Sequence, residues 1–162
     1  MNKSVAIYPG SFDPITLGHL DIIRRASAMF DKVIVVVMTN MSKSCSFNPE
    51  ERCQMINKSL AGLENVTVDS YDGLLAEYAK MHSAKVIIKG LRAMSDFEYE
   101  FQMALTNKKL NPDVETLFLT TSPQYMYLSS SMVKQIAQLR GDITDFVPAA
   151  IHSDIMNRLT RK

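Results

Sequence analysis

Residues 33–38 read Val-Ile-Val-Val-Val-Met, an unbroken apolar run made almost entirely of β-branched side chains. Such a run predicts a central strand of a parallel sheet that is covered on both faces. Shorter apolar runs at residues 5–8, 66–68, 86–88 and 116–119 predict four more strands. Helical patterns alternate with these strands, which favours parallel pairing and right-handed crossovers. The prediction is an α/β chain with a Rossmann-like, doubly wound, five-stranded parallel sheet and helices on both faces.

One of the helices has a strong start signal. Asn48 suits an N-cap, Pro49 suits the first helical position, and Glu51 falls three residues after the cap, as in a capping box. Other helices are predicted after the first strand and at residues 73–81, 95–110, 129–139 and 148–159. The length of the chain suits a single domain spanning residues 1–162.

Composition argues against several classes of protein. The 162 residues are 46% hydrophobic and 22% charged with a net charge of +1, so we expect no nucleic-acid binding surface. No signal peptide and no apolar run of about 20 residues is recognisable, so no membrane association is expected. Cys45 and Cys53 form no CxxC pair, and the three histidines (His19, His82 and His152) have no zinc-ligand spacing. We expect no protein metal site and reduced thiols in a cytoplasmic protein.

The segment between the first strand and the first helix carries most of the chemistry. It reads Gly-Ser-Phe-Asp-Pro-Ile-Thr-Leu-Gly-His over residues 10–19. Gly10 permits a sharp turn and a close approach of the backbone to a ligand. The helix start offers free N–H groups and a partial positive charge to a phosphate. His19 at that point can give a phosphate oxygen a hydrogen bond or a positive charge.

Cations and hydroxyls follow other predicted strands. Lys43 comes after the second strand, and Lys89 and Arg92 flank Gly90 after the fourth. Paired cations at a strand end suit phosphate groups, which such sheets bind at the carboxyl ends of their strands. Three serines at residues 129–131 begin a helix, where they can cap it or bind phosphate. On these residues alone, a solvated Lys43 and serines that only cap the helix remain open alternatives.

Together these blocks resemble one family of enzymes. The segment at residues 10–19 is similar to the signature of the phosphopantetheine adenylyltransferases, with Thr16 at the first position of the superfamily's HxGH motif. The likeness continues at residues 40–43, 88–92, 96–100 and 128–131. The resemblance implies reversible transfer of the adenylyl group of ATP to 4′-phosphopantetheine. The products are dephospho-coenzyme A and pyrophosphate, in the penultimate step of coenzyme A biosynthesis.

The resemblance also implies site residues. Catalytic roles fall on His19, Lys43 and Arg92. ATP contacts are implied for Ser11, Phe12, His19, Gly90, Leu91, Arg92, Glu100, Tyr125, Met126, Tyr127, Leu128, Ser129, Ser130 and Ser131. Contacts to 4′-phosphopantetheine are implied for Ser11, Lys43, Leu75 and Lys89. The family usually has arginine at position 89, and lysine keeps the charge but loses the bidentate fork. Lys134 holds the place of a basic residue in a further superfamily motif.

The implied reaction needs little activation, because the acceptor phosphate is already a nucleophile. We therefore expect in-line attack with electrostatic stabilisation of the transition state. Magnesium is expected to arrive with ATP. The resemblance further implies a homohexamer and coenzyme A as a feedback ligand. Two alternatives remain: an adenylyl- or cytidylyltransferase of the same superfamily with another phosphorylated acceptor, and a non-catalytic ATP-binding module.

Overall fold

The computed structural model describes residues 4–39 and 44–160. The strands are β1 (Val5–Gly10), β2 (Lys32–Met38), β3 (Val66–Tyr71), β4 (Val86–Leu91) and β5 (Glu115–Thr120). They form a five-stranded sheet in the order β3-β2-β1-β4-β5, and every neighbouring pair is parallel. The strand order changes direction between β1 and β4, which creates a crevice at their carboxyl ends. The predicted fold class is confirmed.

The helices are α1 (Leu17–Met29), α2 (Pro49–Ser59), α3 (Leu75–Met81), α4 (Met94–Leu110), α5 (Ser130–Gln138) and α6 (His152–Leu159). The capping box of α2 forms as predicted: Asn48 accepts from the Glu51 N–H at 2.8 Å, and the Glu51 carboxylate accepts from the Asn48 N–H at 2.8 Å. Within the described ranges, no helix combines the length and the apolar character needed to cross a membrane.

Two helix starts differ from the prediction by two residues or more. The last helix begins at residue 152 rather than 148, because residues 149–151 form a 3₁₀ turn after Pro148. Helix α3 begins at residue 75 rather than 73, and Leu74 occupies its N-cap. The chain also forms a 3₁₀ turn at Pro123–Tyr125 that was not predicted. Short turns of this kind leave little periodic signal in a sequence.

The sheet packs on both faces. In β2, Val33, Val35 and Val37 join a hydrophobic cluster that contains residues of α1, α2, α5 and α6. The alternate side chains Ile34 and Val36 join a second cluster that contains residues of α3. Because successive side chains of a strand point to opposite faces, β2 needs apolar residues at each position from Val33 to Met38. This double burial explains the unbroken run at residues 33–38.

Candidate active site

The carboxyl ends of β1 and β4 open into a cleft of about 940 Å³. Its walls come from the loop after β1, the starts of α1 and α5, the end of β4 and one side of α4. Many predicted site residues line it: Ser11, Phe12, His19, Leu75, Lys89, Gly90, Arg92, Glu100, Leu128, Ser129, Ser130 and Ser131. The parallel sheet therefore brings residues that are far apart in sequence to one edge.

Some of the predicted site residues do not border this cleft. Leu91, Met126, Tyr125 and Tyr127 are absent from its lining. The ring of Tyr127 packs edge-on against Phe146, with 6.0 Å between the ring centroids. ATP contacts at these four positions remain predictions. Position 43, which carries a predicted catalytic lysine, lies outside the described residues.

His19 is the third residue of α1 and closes a capping box with Thr16. The Thr16 hydroxyl accepts from the His19 N–H at 3.3 Å, and the Thr16 N–H donates to Nδ1 of His19 at 3.0 Å. Because Nδ1 accepts, the neutral ring carries its proton on Nε2. Burial, with a smaller contribution from the Arg92 guanidinium, lowers the pKa of His19 to about 4. This pKa makes His19 a neutral hydrogen-bond donor near pH 7, which favours the hydrogen-bond option over the positive charge.

Phe12 supports the histidine ring from the protein interior. Its side chain is 2% exposed and makes edge contacts with Tyr8 and His19, at centroid distances of 5.4 and 5.1 Å. Its backbone lies in the left-handed region, with φ of 46°. Because the ring is buried, an ATP contact at Phe12 can involve only its main chain. Gly10 leaves room for this ring, since a Cβ there would lie 2.9 Å from Cζ of Phe12.

We expect Gly10→Ala to lower kcat about tenfold, because the added methyl displaces the Phe12 ring and with it His19. Overpacking of this kind costs about 1–3 kcal/mol of stability. Gly62→Ala is the matched control: it lies in open space with φ of 81°, so its cost of about 1–2 kcal/mol comes from the backbone alone. Steady-state kinetics and thermal melts of both variants check this. Equal kcat values in the two variants would show that packing of the Phe12 ring does not support His19.

Two cations flank Gly90 at the end of β4. Lys89 Nζ lies 3.1 Å from Oε2 of Glu100, and both side chains are about one-fifth exposed. Arg92 reaches across the cleft and donates to the Leu128 carbonyl at 2.7 Å, while its Nε lies 3.4 Å from Asp96. The structure thus pairs Lys89 with Glu100, although the resemblance implied different substrates for them. Both cations border the cleft, and their contacts with substrate phosphates remain predictions.

Glu100 has acceptor capacity left in spite of this ion pair. Its Oε2 is buried and makes no hydrogen bond of good geometry to the described residues. Burial, and to a lesser extent the Glu100 carboxylate, raises the pKa of the Tyr8 hydroxyl, which stays neutral at the floor of the cleft. Lys89 supplies charge to this oxygen, and a well-aligned hydrogen bond from a ligand would stabilise the buried carboxylate further. A ligand hydroxyl at this position would satisfy Glu100.

The three serines at the start of α5 differ in their contacts. Ser129 is the N-cap, and its hydroxyl accepts from the Met132 N–H at 3.1 Å. Ser130 donates its hydroxyl to the Pro14 carbonyl at 2.7 Å. Ser131 is exposed and borders the cleft. Capping thus applies to Ser129, and a phosphate contact by this turn remains a prediction.

Sequence reasoning missed three polar residues at the cleft or beneath it. Asp13 is 4% exposed, Arg52 is 2% exposed and Asn107 is 5% exposed. Arg52 donates to the Ser11 carbonyl at 2.7 Å and so fastens the loop after β1. Asn107 lies on the face of α4 that borders the cleft. Its spacing of seven residues from Glu100 puts the two on one helix face, a signal that was available in the sequence.

Comparison with known proteins identifies the family. A model described as cytidylyltransferase-like matches residues 7–136. A phosphopantetheine adenylyltransferase of Caldanaerobacter subterraneus is 56% identical over 157 residues, which cover 97% of this chain and 98% of that protein. One of Clostridium tetani is 57% identical over 159 residues, which cover 98% and 99%. The chain belongs to the phosphopantetheine adenylyltransferases. It is therefore an enzyme of the nucleotidyltransferase class, as the sequence predicted.

Solved structures share the fold of this phosphopantetheine adenylyltransferase family member. A putative nicotinate-nucleotide adenylyltransferase of Vibrio parahaemolyticus has a TM-score of 0.70 at 18% identity, with 98% of this chain and 97% of that chain covered. A bifunctional NMN adenylyltransferase/ADP ribose pyrophosphatase of Francisella tularensis has a TM-score of 0.74 at 15% identity, with 99% and 51% covered. At such low identities the likeness concerns the fold alone.

Proposed function

We propose that this chain reversibly transfers the adenylyl group of ATP to 4′-phosphopantetheine, which gives dephospho-coenzyme A and pyrophosphate. This is the penultimate step of coenzyme A biosynthesis. Relatives that match nearly the whole chain are named for this activity. The observation that carries the proposal is a neutral His19 ring that faces the same cleft as Lys89 and Arg92. We treat residues 1–162 as one nucleotidyltransferase domain.

The reaction we propose is an in-line displacement at the α-phosphorus of ATP. An oxygen of the acceptor phosphate forms the new bond to this phosphorus, while the bond to the β-phosphate bridging oxygen breaks and pyrophosphate leaves. The acceptor phosphate needs no general base. His19 donates from Nε2 to an oxygen of the α-phosphate, where negative charge develops in the transition state. A neutral donor fits this step because it requires no change of protonation.

The remaining contacts are assigned by charge and by position at the cleft, except that of Lys43, which is assigned from the family resemblance. Lys89 and Lys43 hold the acceptor phosphate, and Arg92 with residues 129–131 holds the polyphosphate. Ser11 contributes to both substrates. Glu100 accepts from the ribose or adenine of ATP, which would give Oε2 a well-aligned hydrogen bond beside its ion pair with Lys89. These assignments are proposals for each residue.

The long cleft also suits the arm of the acceptor. Besides the cations, its lining includes Leu75 of α3 and Met103 and Leu110 of α4. Asn107 lies among them, and its nearly buried amide makes no side-chain hydrogen bond within the part of the chain that the structure describes. An extended chain that carries amides, such as pantetheine, matches apolar walls with one amide partner.

Lys89→Ala is expected to raise KM for 4′-phosphopantetheine about tenfold or more, because a charge-assisted hydrogen bond to its phosphate is lost. KM for ATP should change less. Lys89→Arg serves as the control, since it keeps the charge and should retain most acceptor binding. Initial-rate kinetics with each substrate varied in turn check this. Equal increases for both substrates would assign Lys89 to a different phosphate.

Acceptor-dependent pyrophosphate release tests the proposed function. The panel contains 4′-phosphopantetheine, nicotinamide mononucleotide and glycerol 3-phosphate, each with ATP and with CTP. We expect release with 4′-phosphopantetheine and ATP, and background release in the other reactions. Turnover with another acceptor would favour a different adenylyl- or cytidylyltransferase of the superfamily. ATP binding without pyrophosphate release in the presence of any of these acceptors would indicate a non-catalytic ATP-binding module.

Magnesium is proposed to enter with ATP. In the described ranges no group of three His, Cys, Asp or Glu side chains is arranged to hold a metal ion. The cleft instead presents the cations Lys89, Arg92 and Lys134 beside hydroxyl groups, a donor set that suits phosphate oxygens. The ion would be held by the phosphates and would neutralise charge on the leaving pyrophosphate.

A homo-oligomer is proposed from the surface of α4. This helix exposes Met94, Tyr99, Phe101 and Leu105 at 81%, 64%, 46% and 57% of their full area. An apolar surface of this kind is typical of a protein–protein contact. The family resemblance favours a hexamer. We also propose coenzyme A as a feedback ligand, because it carries the same arm as the acceptor, and a cytoplasmic location, where unpaired thiols stay reduced.

A further inference from the structure

Asp13 is a nearly buried carboxylate in the loop between β1 and α1. Both of its oxygens accept from the Ser46 N–H, at 3.1 and 3.0 Å, and Oδ1 also accepts from the Phe47 N–H at 3.0 Å. Oδ2 pairs with Lys134 Nζ at 2.7 Å. A carboxylate offers about four acceptor sites, and these contacts use them. Asp13 therefore has no oxygen to offer to a substrate and can act only through the groups that it holds.

Lys134 is the partner of Asp13 that borders the cleft. It lies on α5, its side chain is 21% exposed, and it shares the cleft wall with the serines at residues 129–131. A lysine side chain is long and flexible, so the place of its ammonium group depends on its partner. Asp13 takes one of the three ammonium donors. No other acceptor within residues 4–39 and 44–160 contacts this ammonium group, which leaves two donors for an anion in the cleft.

The loop that carries Asp13 is fastened on both sides. Arg52 donates to the Ser11 carbonyl at 2.7 Å, and the Ser130 hydroxyl donates to the Pro14 carbonyl at 2.7 Å. The backbone hydrogen bonds to Ser46 and Phe47 hold the carboxylate itself. Asp13 is thus a rigid anchor, and it determines where the Lys134 ammonium lies.

We propose that Asp13 is a positioning residue that holds Lys134 for the polyphosphate of ATP. This inference rests on the proposed function, because it takes ATP as the anion in the cleft. Asp13 acts through Lys134, so the loss of either side chain removes the same interaction. The effects of the two substitutions on ATP affinity are therefore coupled. The double variant should bind ATP only slightly more weakly than either single variant.

The test is a double-mutant cycle with Asp13→Asn, Lys134→Met and the double variant. Asparagine keeps the shape of Asp13 and an acceptor for a backbone N–H, while methionine keeps the apolar stem of Lys134. Calorimetric titration with Mg-ATP, in the absence of acceptor, should show about tenfold weaker binding in each single variant. The double variant should bind no more than about twofold more weakly than either single variant. KM for 4′-phosphopantetheine should rise less than about twofold.

Several outcomes would overturn the proposal. A role confined to stability would lower the melting temperature of Asp13→Asn and leave its ATP affinity at the wild-type value. Multiplicative losses in the double variant would show independent roles. If Asp13→Asn fails to fold, Lys134→Met alone decides: unchanged ATP binding contradicts the proposal, and Lys134→Arg should restore binding if it is correct. Because these titrations need no acceptor, a wrong acceptor assignment would appear only in the pyrophosphate assay.

Discussion

His19→Ala is expected to fold, to bind ATP and to lose about 10²–10³-fold or more in kcat. The variant removes a donor that is already oriented toward the cleft, because its Nδ1 accepts from the Thr16 N–H at 3.0 Å. The interaction strengthens only as charge develops on the α-phosphate, so KM for ATP should change much less than kcat. Single-turnover adenylyl transfer and ATP titration measure the two effects separately.

His19→Gln is the matched control for this prediction. The alanine variant also leaves the Thr16 N–H without its partner, and the loss of a cap costs about 1 kcal/mol. A glutamine amide oxygen can take over the capping bond, but its N–H₂ group does not stand at the place of Nε2. We therefore expect His19→Gln to recover stability and to keep the loss in kcat. Turnover near the wild-type value in either variant would remove His19 from the mechanism.

Acid is expected to destabilise the protein through the same histidine. The pKa of His19 is about 4 in the folded protein and 6.5 in the unfolded chain. Above pH 6.5 both states are neutral, and the full contribution to stability is present. Between pH 6.5 and 4 the unfolded chain takes up a proton that the folded protein excludes, so the free energy of unfolding falls. The loss reaches about 3 kcal/mol near pH 4.

The measurement is urea unfolding of the wild type and of His19→Gln from pH 7.5 to 4. Other histidines and carboxylates titrate in both proteins, so the difference between the two curves isolates His19. We expect this difference to shrink or reverse as the pH falls through 6.5. Parallel curves would mean that His19 titrates normally in the folded protein, and the neutral ring assigned to the mechanism would then be wrong.

Elements with a strong local signal were predicted well. β2 is covered on both faces and so is apolar from Val33 to Met38, and α2 carries its capping box within four consecutive residues. The predicted ends of the strands and helices were less accurate. β3 extends to Tyr71 as an outer strand, where Asp69 and Ser70 interrupt the apolar run that marks a central strand. The delayed start of α6 depends on a 3₁₀ turn, which has no periodicity to detect.

Some features of the candidate site could likewise be predicted from the sequence, and others could not. The turn from Gly10 to His19, the cations Lys43, Lys89 and Arg92, and the serines at residues 129–131 were predicted to gather because the carboxyl ends of parallel strands share one edge of the sheet. The structure places Gly10, His19, Lys89, Arg92 and these serines at the cleft, and position 43 lies outside the described residues. Pairings between distant segments were not predictable. No pattern in the sequence marks the ion pair between Lys89 and Glu100, because it depends on how α4 packs over the end of β4.

Local chemistry in the chain was enough to specify the strands, the helix caps and the edge of the sheet where His19, Lys89, Arg92 and the serines at residues 129–131 collect. Hydrophobic period and capping act over a few residues, so a single sequence displays them directly. The protonation state of His19 and the anchoring role of Asp13 were decided by packing alone. Both depend on burial and on partners contributed by other elements: Arg92 beside His19, and Ser46, Phe47 and Lys134 around Asp13. Only the folded chain brings such groups within hydrogen-bonding distance of one another.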